Sequence, residues 1–492
     1  LIRLPTNTRA FRYWPYAYSV VLFVASSLSH FAILSNDVFP LRWQAERLSF
    51  AHPETFYNGF FPIGYPLALR LAEVTGNPVL TLLLVQIALA SLYAILSWRL
   101  LRQVLPENAS LIALPFVLFA PQVVRPMLSP TPDFLAALAV LWGFVLLLSS
   151  RGNRAVLFAG AAFGIGYLFR SHIVVLACAI LLVLLGMERK NLRTVFSFVL
   201  GVLPFILLQG LVQVWSGHGF FENAQVFNVW KTIHGMDWNN PPDLRGKTVL
   251  SIILDNPIDF LHACFNGLID RAAFILPLLI FLIVQARTGR GRRTWAIVVA
   301  GSFLYLVITS AGSSPRDVAV LIPVVALCAM YIVQVLLERS RLLQRTGLVL
   351  AIIILSIMVG LGGLFYFSNV SRGRIERYAE LEDRLGVHSE ADAEHIYSDD
   401  FDLYFPGLRY TTPRQSGGWP EIGLPGYLAM YPHISDFPAK AEHADLVQNG
   451  IEYAIYRIPP YDGRGYATVR SDSLLFRSIY RTPLHEVYRV QR

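Results

Sequence analysis

The sequence predicts an all-α polytopic membrane protein of about eleven spans with a small α/β domain at its carboxy terminus. Three observations predict it. Hydrophobic residues make up 54% of the 492-residue chain and charged residues only 15%, with a mean hydropathy of +0.49. A soluble domain carries roughly 25% charge, so this chain uses lipid as its solvent. Apolar runs approaching the roughly 20 residues that cross a bilayer core recur as far as residue 367. From Ser368 onward, charge, tyrosine and turn signals rise together.

In order, the apolar runs fall at 16–34, 79–98, 109–125, 134–149, 155–169, 172–187, 194–214, 271–286, 295–311, 318–336 and 348–367. The run from Ala155 to Phe169 is short and carries Gly160, Gly164 and Gly166, small residues that let helices pack closely. Basic residues set the orientation, because they are retained on the cytoplasmic side. Arg3, Arg9 and Arg12 precede the first run. Thereafter Arg99 and Arg102, Arg151 and Arg154, Lys190 and Arg193, Arg287 to Arg293, and Arg339 to Arg345 mark every second boundary. The amino terminus is therefore expected in the cytoplasm. Segments 35–78 and 215–270 and the carboxy-terminal domain are expected on the outer face.

The division predicted is a membrane domain over 1–367 and an extracytoplasmic α/β domain over 368–492. In the latter, a helix is expected near 373–386 and a strand near 395–399. A helix running into a strand is expected across Ala444–Ile458, and a final helix and strand from Ser471 to Val490. No cleavable leader is expected, because the first run lacks a small-residue cleavage pattern and more spans follow. Cys178, Cys264 and Cys328 are scattered, which suggests neither a disulfide framework nor a thiolate metal site. The formal charge of +8 sits in arginines that punctuate apolar segments, so topology explains it better than nucleic-acid binding does. Arginine use favours a bacterial cytoplasmic membrane.

The polar residues with chemical potential cluster on the expected outer face. Asn36 and Asp37 follow the first run directly and precede an amphipathic stretch suited to the interface. A carboxylate there reaches both an acceptor hydroxyl and a lipid headgroup, as a general base must; equally, Asn36-Asp37 caps the interfacial helix. Thr131-Pro132-Asp133 reads as a helix start, with a cap, a first-turn proline and an acid facing the dipole. Asp133 is also a candidate second catalytic acid, acceptor contact or metal ligand. Arg125, Arg170 and Arg316 map to outer ends of spans, where positive charge has no topological reason to be. They are candidate ligands of a donor phosphate, through a planar fork of donors, or they snorkel to anionic headgroups.

Weaker substrate-binding candidates are His52, Tyr57, Asn58 and Tyr65 in the first outer segment, His172 beside Arg170, and Lys231 and His234 in the second. The histidines lack metal-ligand spacing, so no zinc site and no cofactor are predicted, although a divalent metal is compatible. Phosphate-cradling glycine loops are absent, which argues against a nucleotide donor.

Several features together resemble the GT-C glycosyltransferase superfamily, in the branch of protein O-mannosyltransferases, aminoarabinose transferases and bacterial Rgt-like enzymes. They are Asp37 after the first span, Pro62-Ile63-Gly64-Tyr65-Pro66 entering the next, and Ser129-Pro130-Thr131-Pro132-Asp133. The glycine-rich segment ending in Arg170, and Ser314-Pro315-Arg316 with Pro323 beyond it, complete the order. Leu41 departs from the aromatic residue, and the lone Asp37 from the paired acids, found in some members. The resemblance implies a hexosyl- or pentosyltransferase that moves a sugar from a polyprenyl-phosphate carrier, with inversion, to a glycan, lipid or protein acceptor, with Asp37 as base.

Two rival classes share the composition. A secondary transporter or lipid flippase would line a path with ionisable residues near mid-membrane, whereas these lie at one face, and no pair of broken helices in matching halves is evident. An O-antigen-type polymerase or ligase would rely on a large basic outer loop.

Overall fold

A computed structural model describes residues 9–31, 38–57, 59, 61–149, 152–187, 192–221, 225–234, 247–288, 293–311, 315–337, 346–399, 403–408, 414–415, 443–458 and 474–491. The chain begins with α1 (Arg9–Leu28), the short α2 (Val38–Arg47) and α3 (Gly64–Ala72), and the long α4 (Pro78–Arg102). Next come α5 (Glu107–Leu118), α6 (Pro121–Met127), α7 (Pro132–Ser149), α8 (Asn153–Phe169), α9 (Ile173–Met187) and α10 (Leu192–Trp215). A second connecting region holds α11 (Gln225–His234), α12 (Val249–Asp255) and α13 (Pro257–Asp270). It is followed by α14 (Ala272–Thr288), α15 (Arg293–Ile308), α16 (Ile322–Leu337) and α17 (Thr346–Leu385).

Each predicted apolar run overlaps a helix, with 109–125 divided between α5 and α6 and 32–34 outside the described residues. Among the described residues five helices are long and apolar enough to cross a membrane, or up to seven if each bent pair is one span. The bent pairs are α5 with α6 (56°) and α13 with α14 (81°). α8, α9 and α15 are shorter apolar helices. Local sequence sets the boundaries. Asn77 caps α4 by accepting the Leu80 N–H (3.1 Å), Pro78 fills the first turn, and Arg99 and Arg102 face the negative end of the dipole. α8 and α10 touch backbone to backbone: a Cβ on Gly160 would meet the Phe198 carbonyl, and one on Gly201 the Leu157 carbonyl. The small-residue segment thus meets a glycine on its neighbour.

The expected break between a last span and a helix at 373–386 does not occur. α17 is one helix of 40 residues. Ser368, Asn369 and Gly373 read as a loop, but no proline interrupts them, and the pairs Arg372–Glu376 (2.7 Å) and Arg384–Glu380 (3.2 Å) support helix at i, i+4 spacing.

Beyond it lie α18 (Glu390–Ala393), β1 (Ile396–Ser398), β2 (Arg414–Gln415), α19 (His443–Gln448), β3 (Tyr453–Arg457), β4 (Phe476–Arg481) and β5 (His485–Val490). The sheet order is β2-β1-β3-β5-β4, parallel from β2 to β3 and antiparallel beyond. The expected closing helix and strand are instead a hairpin of β4 and β5. One sheet face packs Tyr397, Tyr456, Phe476 and Tyr488 with Leu446 of α19. The other joins Ile396, Ile455 and Val487 to Tyr378 and Leu381 of α17.

That second core continues without a break into the membrane part. Val38, Leu41 and Ala45 of α2, Phe61, and Tyr65 and Leu69 of α3 belong to the same cluster, with Val229 and Trp230 of α11 packed against it. The carboxy-terminal domain therefore sits on both connecting segments at one end of the bundle, here called the domain end.

Candidate functional site

α7 and α8 are antiparallel neighbours, their faces held by Phe144 against Phe163 (ring centroids 5.5 Å). The start of α7 and the end of α8 consequently meet at the domain end. Asp133 occupies the first turn of α7 and is 5% exposed. Arg170 is the residue at which α8 stops; its backbone is extended (φ −141°, ψ 119°), and its N–H still bonds the Gly166 carbonyl. Its guanidinium donates through Nη2 to Asp133 Oδ2 at 2.7 Å, with side-chain exposures of 15% and 5%. This is a charge-assisted, largely desolvated pair at a helix amino terminus.

The first connecting segment covers the pair. The Arg170 guanidinium carbon lies 5.9 Å from the centre of the Phe61 ring. Gly64 opens α3 directly against the end of α8, where an added Cβ would stand 2.5 Å from the Leu168 carbonyl oxygen. Only a residue without a side chain allows that approach, which delivers Tyr65, fully buried, beside both charges. From α4, the buried Gln86 donates its Nε2 to the Thr131 carbonyl at 2.8 Å. Neither Gln86 nor the buried Ser129 hydroxyl is among the candidates drawn from sequence, yet both line this turn.

The other candidates are placed as follows. Tyr57 is buried, with its ring edge-on to His218 (5.1 Å). His52 is exposed and bonds Glu54 (3.2 Å). His172 follows Arg170 in the turn before α9, with its ring 6.2 Å from that of Tyr305. Arg125 is exposed on α6. His234 ends α11, exposed against Trp230 (4.7 Å). Asp37 and Asn58 lie outside the described residues, as do the side chains of Lys231 on α11 and Arg316 in the turn Pro315–Leu321. Among the described residues the geometry brings together Asp133, Arg170 and Tyr65. No group of three His, Cys, Asp or Glu converges among the described residues.

Sequence reasoning also passed over Arg271, buried at the bend between α13 and α14. It donates to Thr309 Oγ1 (3.2 Å) and the Leu306 carbonyl (3.5 Å), placing a cation at the negative end of α15. Its signal was a fourth arginine at an expected outer end of a predicted span.

The family profile described as dolichyl-phosphate-mannose-protein mannosyltransferase matches residues 62–215, from the proline before α3 to the end of α10. A search of curated proteins finds no match. Among solved structures, ArnT from Cupriavidus metallidurans bound to undecaprenyl phosphate superposes with a TM-score of 0.60 at 14% identity, covering 98% of each chain. The apo form of the same protein gives 0.56 at 15% identity, again over 98% of each. The chain therefore shares the fold of ArnT over nearly its whole length, including the domain on α17, and the profile match contains the Asp133–Arg170 pair.

Proposed function

We propose that this chain is a GT-C glycosyltransferase that takes a sugar from a polyprenyl-phosphate carrier and passes it to an acceptor at the domain end, on the extracytoplasmic face. The observation that carries the reading is the buried Asp133–Arg170 pair, held against Phe61 of the first connecting segment. The undecaprenyl phosphate bound to ArnT supports the carrier class, and the alternating arginine flanks support the orientation.

In this mechanism the acceptor oxygen attacks the anomeric carbon from the face opposite the phosphate. The carbon–oxygen bond to phosphate breaks as the new glycosidic bond forms, so the configuration inverts. Asp37 accepts the acceptor proton, and the electron pair leaves on the polyprenyl phosphate. Arg170 faces that developing negative charge with a planar fork, while Asp133 holds the fork in orientation. Arg316 and Arg125 are secondary candidates for the same phosphate. His52, Tyr57, Asn58, Tyr65, His172, Lys231 and His234 are assigned to substrate contact in the segments above it. Polyprenyl-phosphate dependence is tested by binding: undecaprenyl phosphate should bind the reconstituted protein and undecaprenol should not. Equal binding of the two would remove the phosphate site.

A further inference from the structure

We infer that Gln86 is a positioning residue of this site: an amide strut within the membrane that fixes the turn leading into α7 and, through it, the Asp133 carboxylate that orients Arg170. The inference rests on the glycosyltransferase reading above and adds a residue to it.

Gln86 stands within α4, a largely apolar helix, and is 0% exposed. An amide at that depth is unfavourable unless its hydrogen bonds are made, and this one is spent across the chain, on the Thr131 carbonyl of another helix's leading turn. That turn is tight: the Thr131 N–H bonds the Ser129 carbonyl at 2.7 Å, and Ser129 and Thr131 are 1% and 2% exposed. Pro132 follows at the first position of α7, where a backbone N–H would have no helical partner, and the Gln86 bond reaches this turn laterally from another helix. Asp133 is the next residue. On the other side of the amide stands the Tyr65 hydroxyl, close to Asp133 and Arg170. That hydroxyl and Gln86 Oε1 are both buried, and the Gln86 side chain is near enough to the Tyr65 hydroxyl to act on it. Gln86 thereby links α4 to the turn before α7 and to Tyr65 of α3.

A purely structural glutamine and a positioning one separate under Gln86→Glu. A carboxylate beside the Thr131 carbonyl cannot donate and repels Asp133, whereas the protonated acid donates in place of the amide. Lowering the pH protonates that carboxylate, so binding by the variant is followed as pH falls. Tyr65 of α3, on which Gln86, Asp133 of α7 and Arg170 at the end of α8 all act, places the charged groups near it. Because Asp133 and Arg170 are present in wild type too, the readout is the ratio of variant to wild type at each pH.

The experiment measures undecaprenyl phosphate binding to full-length protein in nanodiscs, with undecaprenol as the control. Gln86→Leu should weaken binding about tenfold at every pH, the upper end of what one neutral hydrogen bond supplies. Gln86→Glu should be equally weak near pH 8 and recover toward wild type near pH 5. Binding by Gln86→Leu within about twofold of wild type, or a Gln86→Glu ratio flat across pH, would overturn the inference while leaving the phosphate site standing. If Gln86→Leu does not fold, the pH reversal of Gln86→Glu, measured within one preparation, decides alone. Wild type that fails to distinguish phosphate from alcohol would overturn both readings.

Discussion

Replacing Asp133 by asparagine keeps the shape of the site and removes one charge from it. Arg170 then faces a neutral amide with little water to take its place, since its side chain is 15% exposed. Breaking a buried ion pair by removing one partner costs about 3–5 kcal/mol. The residual exposure of Arg170 screens part of that, so the expected loss for Asp133→Asn is about 2–3 kcal/mol. Equilibrium unfolding in mixed micelles measures it. The double variant Asp133→Leu with Arg170→Met removes both charges and fills similar volume, so stability should return to within about 1 kcal/mol of wild type. Phosphate binding should not return with it. This divergence separates a site from a scaffold, because a scaffold pair recovers in both measurements. A double variant that binds undecaprenyl phosphate as wild type does would refute the reasoning, as would an Asp133→Asn loss below about 0.5 kcal/mol.

Three further outcomes follow from local geometry. Gly64→Ala places a Cβ 2.5 Å from the Leu168 carbonyl and should cost about 1–3 kcal/mol and weaken phosphate binding, because α3 carries Tyr65 away from Arg170. Gly186→Ala, in open space on α9, should be neutral or gain about 1 kcal/mol in the same unfolding assay. Gly201→Ala should destabilise by a similar 1–3 kcal/mol, roughly, through separation of α8 from α10, with no selective effect on binding. In the carboxy-terminal domain, burial pushes the Tyr456 hydroxyl well above its usual value of 10.0. The unfolded chain ionises first as pH rises, so this contribution to stability is complete below pH 10 and declines above it. Tyr456→Phe should flatten the alkaline part of the stability profile measured by near-ultraviolet circular dichroism.

Much of the helical architecture was legible because lipid imposes it: a span must be apolar along its length, and each of the eleven runs overlaps a helix, although among the described residues only five to seven spans are long and apolar enough to cross. The reading failed near the carboxy terminus. A helix was expected before the last strand, yet Phe476–Arg481 forms β4, with an irregular register between Ser478 and Tyr480, and Thr482-Pro483 turns the chain into β5. Polar residues after Phe367 suggested a loop, although charge pairing carries α17 through them.

The candidate site divides similarly. Asp133 and Arg170 stood out singly, as an acid at a helix start and a cation at an unexpected boundary. Hydropathy does not say which spans are neighbours, so their pairing across 37 residues was not readable. Gln86 escaped notice because a single amide barely alters the hydropathy of a span, and its importance depends on a turn 45 residues away.

The central claim is sugar transfer from a lipid carrier, and Asp37 is the residue on which it turns. The direct measurement supplies reconstituted protein with polyprenyl-phosphate sugars extracted from the cell envelope and follows free polyprenyl phosphate by mass spectrometry. Wild type should release it only when acceptor is present, and folded Asp37→Asn should do so about 10²- to 10⁴-fold more slowly, as loss of a general base requires. Intact glycolipid carried across the bilayer with its phosphate–sugar bond unbroken, or full release by Asp37→Asn, would contradict the account.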